Sequence, residues 1–139
     1  MNFDGKTAIK TTSLRGPSVL APGAAEESEY ISPSGYRNAL FTIATNINST
    51  RVLTGKLEHT DNPADPPEGI TGTEFTMSVA NGDGAAAVRT ILISHEAVKE
   101  FVRVSVTQAG GANVAPVVGV VQFNAKNSST TNTVSAVKG

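Results

Sequence analysis

The sequence predicts an all-β fold, an antiparallel β-sandwich that is jelly-roll-like or immunoglobulin-like, with extended N- and C-terminal arms. Three observations predict it. Val, Thr and Ser abound, while the straight-chain helix formers Leu, Lys, Glu, Gln and Arg are scarce. Apolar and polar residues alternate with period two in several stretches. Clusters of Gly, Pro, Asn and Asp punctuate those stretches at turn-like intervals.

With 139 residues the chain has room for one domain. It divides into an N-terminal arm and first strand with a Pro/Gly-rich loop over 1–33, a sandwich core over 34–125 and a polar C-terminal tail over 126–139. Leu40 to Ile47 reads as a strand with Phe41 and Ile43 on one face. Leu53–Thr60 alternates Leu53, Gly55, Leu57 and His59 against Thr54, Lys56, Glu58 and Thr60, the mark of one buried and one wet face. Glu74 to Val79 sets Phe75, Met77 and Val79 against Thr76 and Ser78. Asn81-Gly82-Asp83-Gly84 follows, and its chemistry predicts a hairpin that reverses the chain into Ala87–Ile93.

Ser94 caps the one short helical turn expected, Ser94–Lys99. Phe101–Gln108 is the strongest strand, with Val102, Val104 and Val106 on one side and Arg103, Ser105 and Thr107 on the other. Its expected partner is Ala115–Asn124, joined to it by the turn Ala109–Asn113. That second strand is apolar on both faces, through Val117, Val118, Val120, Val121 and Phe123, so a neighbouring subunit is one candidate for its cover. Gly16–Ser34 and Asp61–Gly72 are Pro-bearing loops, and the Ser/Thr/Asn-rich tail reads as an arm for a partner chain to hold.

Several function classes find no support. The absence of cysteine removes disulfides, thiolate metal sites and a Cys nucleophile. Eleven basic against twelve acidic residues give a net charge of -1, which provides no footprint for nucleic acid or an anionic membrane. The first ten residues lack a signal-peptide layout, so the sequons at Asn48 and Asn127 are expected to stay unglycosylated.

His59 and His95 lack metal-site spacing, and Ser94-His95-Glu96 places triad residue types side by side, where they cannot converge. Asp61, Asp65 and Glu68 lack the spacing of a calcium loop, and Gly82-Asp83-Gly84 lacks the helix that a phosphate cradle needs. No enzyme activity, metal or cofactor is expected. Aromatic residues make up 5% of the chain, poor material for a sugar-stacking or single-strand nucleic-acid platform. The residues nominated for protein contact are Phe101, Arg103, Tyr30, Tyr36, Val118 and Val120. Arg103 is the polar anchor among them, expected to pair with a carboxylate across a subunit or shell contact.

Gly35-Tyr36 leading into Ala39–Ala44, a mid-chain hairpin, Lys99–Thr107, a Gly-rich turn and the strand Pro116–Phe123 together resemble small virion proteins of tailed bacteriophages. The resemblance covers Ser34–Ala125. It departs where such proteins carry an acidic turn before an aromatic strand residue, since here Leu57–Pro63 runs into a longer Pro loop.

What the resemblance implies is a cement or decoration protein on the capsid exterior, assembled in the host cytoplasm. It would bridge major capsid protein subunits, or other virion proteins, as a homo-oligomer, trimer or dimer. A tail, neck or baseplate component, and a receptor- or glycan-binding sandwich, are the alternatives.

Overall fold

The computed structural model describes residues 9–16, 18–32 and 35–125. The expected tail over 126–139 and the residues before Ile9 lie outside the described residues. The described residues form nine strands: β1 (Ile9–Arg15), β2 (Ala25–Glu27), β3 (Tyr36–Thr45), β4 (Leu53–Thr60), β5 (Glu68–Gly69), β6 (Phe75–Met77), β7 (Ala87–Ser94), β8 (Phe101–Gln108) and β9 (Val117–Ala125). One antiparallel sheet runs β1-β9-β3-β7 and the other β2-β8-β4-β5, with β6 also paired to β4. Strands β4, β5 and β6 follow one another within the second sheet, and every other connection crosses to the opposite sheet. This is the connectivity of a jelly roll.

Alternation explains the core. Ala39, Phe41 and Ile43 of β3 and Val118 and Val120 of β9 point inward from the first sheet. Leu53 and Leu57 of β4, Met77 of β6 and Val102, Val104 and Val106 of β8 meet them from the second. The layers pack because each strand buries one face and leaves the other outward.

Two expected hairpins are corrected. Asn81–Gly84 does not fold β6 back onto β7: β6 lies on β4, and β7 lies on β3. The segment Val79–Asn81 is a 3-10 turn capped by Ser78 and closed by Gly82 at φ 88°, and it carries the chain between sheets. Val79, expected inside, is 53% exposed there. Likewise β8 and β9 are not partners, because β8 pairs with β2 and β4 while β9 pairs with β1 and β3. Turn residues fix a local reversal; the strand that each side then joins is set by long-range burial.

The β8–β9 crossing is held by a glutamine. Gln108 is fully buried, and its Oε1 accepts from the backbone N–H groups of Val52 and Gly110, while its Nε2 donates to the carbonyl of Ala112. Gly110 packs so closely that a Cβ there would lie 2.4 Å from the Thr50 carbonyl oxygen. Within the expected loop Gly16–Ser34, residues 18–32 are more regular than their composition predicts. They contain β2, and Leu20 bridges to Val114 and Ile31 to Val102.

An arginine closes each open edge of the sandwich. Arg15, at the end of β1, donates to Glu26 on β2 at 2.8 Å and to the Pro116 carbonyl at 2.6 Å. On the far edge Arg89 of β7 reaches Asp83 at 2.7 Å and the Thr76 carbonyl of β6 at 3.2 Å. Hydrogen bonding from Arg89 holds the Asp83 carboxyl below its ordinary range, against the opposing effect of burial. The same bond raises the Arg89 guanidinium.

Candidate protein interface

The nominated residues separate into three groups. Tyr30, Phe101 and Arg103 converge on the outward face of the second sheet. Val102 and Ile31 exchange backbone hydrogen bonds, and Ser28 bonds Val104 through both its N–H and its hydroxyl, so Tyr30 is fixed alongside β8. Its ring packs edge-on to Phe101 with centroids 6.2 Å apart. The Arg103 guanidinium carbon lies 4.9 Å from the Tyr30 centroid, and its Nε donates to Glu58 at 2.9 Å. Glu58 stands directly opposite Arg103 in the β4–β8 register. The carboxylate expected from another subunit is therefore supplied by this chain, because strand pairing delivers it without a search.

Tyr36 begins β3 and belongs to the other sheet. Val118 and Val120 are 1% exposed and face the sandwich interior, which corrects their nomination as contact residues. They pack against the second sheet, and the outward side of β9 belongs to Val117, Val121 and Phe123 instead.

Sequence reasoning passed over that outward side of the first sheet as a unit. The register lines up Ile9 with Phe123, then Val121 with Leu40 and Leu92, and beyond them Val117 with Ala44 and Val88. Thr and Ser fill most of the intervening positions, and among the described residues the outward positions of this sheet carry no charge. The second sheet contrasts, with Glu27, Lys56, Glu58 and Arg103 on its outward positions. Alternation in single strands was visible, but the assembled face needs the pairing order.

The titratable groups weighed for chemistry serve the fold. His59 Nδ1 accepts from the Lys99 backbone N–H, and His95 is buried with its Nε2 3.2 Å from Gln122 Nε2. Ser94 Oγ accepts from the Glu96 N–H, so the triplet's side chains do not come together. In the Pro-rich loop Asp61 accepts from the Glu100 N–H and Glu68 pairs with Lys99 at 3.3 Å, which pins the loop to the start of β8. A cleft of about 310 Å³ at one end is lined by Val19, Thr45, Asn46, Arg51 and Asn113. Arg51 there braces the rim by donating to the Asn113 carbonyl and the Asn46 side chain.

No known protein family matches the sequence, and no curated protein matches it. Solved structures do resemble the fold. The chain is similar to the SPBc2 prophage-derived protein YomS, with a TM-score of 0.49 and 13% identity over 84% of this chain and 96% of that one. The PRD1 vertex protein P5 has a TM-score of 0.45 and 10% identity over 84% and 95% of the two chains. The C-terminal CBM6 of LamC, a laminarinase from Zobellia galactanivorans, has a TM-score of 0.45 and 9% identity over 80% and 98%. These likenesses are of β-sandwich architecture. Among the described residues no helix is long and apolar enough to cross a membrane.

Proposed function

We propose that this chain is a non-enzymatic structural protein of a tailed-phage virion, a capsid cement or decoration protein that bridges major capsid subunits. The observation that carries the reading is the Tyr30–Arg103–Glu58–Phe101 cluster on the second sheet. Aromatic residues and Arg are the side chains that most often anchor protein interfaces, and these are held in place before any partner arrives, which lowers the ordering entropy of docking. Repetition across a lattice turns one such modest anchor into tight occupancy. The strand and turn motifs from Gly35 to Phe123 add the resemblance to small virion proteins.

The test is co-sedimentation of the purified chain with empty heads of the encoding phage, counting copies bound at saturation. Something on the order of one copy per capsid subunit, lost in Arg103→Glu, supports lattice decoration. A few copies per particle would move the protein to a vertex, neck or tail position. No binding would overturn the reading in favour of a receptor- or glycan-binding module.

A further inference from the structure

The outward face of the β1-β9-β3-β7 sheet leaves a broad apolar surface in water. Leu92 is 61% exposed and Ile9 55%, and with Val121, Leu40 and Phe123 they form one continuous band across all four strands, while Val88, 49% exposed, lies with Val117 beyond the row of Thr90, Thr42 and Gly119. Scattered apolar side chains are ordinary on a surface; a contiguous, chargeless band of this kind marks a contact site. We infer that this face is where two copies of the chain meet, sheet against sheet, about a twofold axis that passes near Leu40 and Val121.

Charge argues for a second copy. A twofold contact sets a patch against itself, so any charge near the axis would oppose its own image. Here the outward positions carry none, whereas the other sheet would bring Glu27, Lys56, Glu58 and Arg103 against their like. A charged partner would find nothing on this face to answer it. Size argues the same way. Strands about 4.8 Å apart with a rise of about 3.4 Å per residue make the face roughly 20 by 25 Å, or about 500 Å² in projection on each copy. Two copies then remove about 1,000 Å² from water, the lower bound for a specific contact and the size of a weak, reversible dimer. The relief also suits stacking, since Gly119 and Thr42 alternate with Leu40 and Val121 along the central strands, leaving hollows for a facing sheet's side chains about 10 Å away.

The inference goes beyond shell binding and does not rest on it, because it is read in the free protein. The full chain is followed by sedimentation equilibrium from micromolar to millimolar concentration, together with Val121→Glu, Val121→Lys and Leu92→Glu. Far-UV circular dichroism and melting confirm that each variant is folded; Leu92 is exposed enough to accept a charge without touching the core. The expected result is a monomer–dimer equilibrium in the native chain and association weakened by about 100-fold or more in each variant, the effect of an unpaired charge in an apolar contact. An equimolar mixture of Val121→Glu and Val121→Lys is expected to associate again, which only self-docking explains. A native chain that stays monomeric at millimolar concentration overturns the inference. So does a dimer that survives both Val121→Glu and Leu92→Glu, or one that forms only after residues 126–139 are removed, since that would make the tail the occupant of the face.

Discussion

Arg15 and Arg89 bracket the sandwich from opposite edges, each tying the outermost strand of the first sheet to the second. Arg15 joins β1 to β2 through Glu26, and Arg89 joins β7 to β6 through Asp83 and the Thr76 carbonyl. A two-sheet sandwich is closed by side chains along its middle and open along its rims. These guanidiniums bridge the rims with several donors each, a use for which lysine's single ammonium is poorly shaped.

The far rim gives the protein an acid limit. The Asp83 carboxyl titrates below its ordinary value of 3.8 in the folded chain, so its contribution to stability is complete above that value and is lost as pH falls through the lower folded value. Urea unfolding between pH 7 and pH 2 is expected to show stability declining below about pH 4. Asp83→Asn should be less stable at neutral pH and show a shallower decline; an unchanged slope would remove Asp83 from the acid response.

Arg103→Glu sets two carboxylates opposite each other in the β4–β8 ladder and removes the cation from the Tyr30 ring. Like charges directly across a sheet and a lost cation–π contact each cost about 0.5–1 kcal/mol, so the melting midpoint falls by several degrees. The double variant Arg103→Glu with Glu58→Arg restores the ion pair and recovers the repulsive part of that loss, leaving the cation–π part unrecovered. Calorimetry on the single and double variants decides the matter, and an unshifted single variant would show the cluster to be energetically idle.

Val104→Asp places an unpaired carboxylate at a position 1% exposed in the middle of the core. Burying such a charge costs well over about 4 kcal/mol, a large part of a single domain's stability. The variant is expected to be unfolded or insoluble, which circular dichroism of the purified protein reads directly.

Gly110→Ala tests the crossing loop. The added methyl would press on the Thr50 carbonyl oxygen and on the Val52 nitrogen, 2.8 Å away, and both are backbone atoms that cannot swing aside. The expected loss is about 1–3 kcal/mol in chemical denaturation. Gln108→Leu is expected to cost a comparable amount, because the N–H groups of Val52 and Gly110 lose their buried acceptor.

Much of this architecture was legible locally. The alternations over Leu53–Thr60 and Phe101–Gln108 mark strands with those same limits, and Ser94 caps the short turn that follows β7. Partner choice was not legible. Period two reports which face of a strand is buried and says nothing about its neighbour, so Asn81–Gly84 and Ala109–Asn113 looked like hairpins when both cross between sheets. Buried polar residues were equally hidden: Gln108 and Gln122 sit in stretches of β character, and only the folded chain shows their amides bonded to backbone at Ala112 and Ser32. At the candidate interface, aromatic residues beside Arg103 were a usable signal. The Val-rich composition of β9 was ambiguous, because alternate residues of that strand serve the core and the outward face.

The pairing of β1 with β9 also bears on how the protein is made. Ile9 lies opposite Phe123, and β9 is the link between β1 and β3, so the first sheet has a missing centre until β9 has left the ribosome. Contacts this distant in sequence place folding among the slower topologies, with loop closure completed before strand pairing repays it. Synthesis therefore completes the first sheet last, after every strand of the second has been made, and a nascent chain halted before β9 has no partner to offer β1.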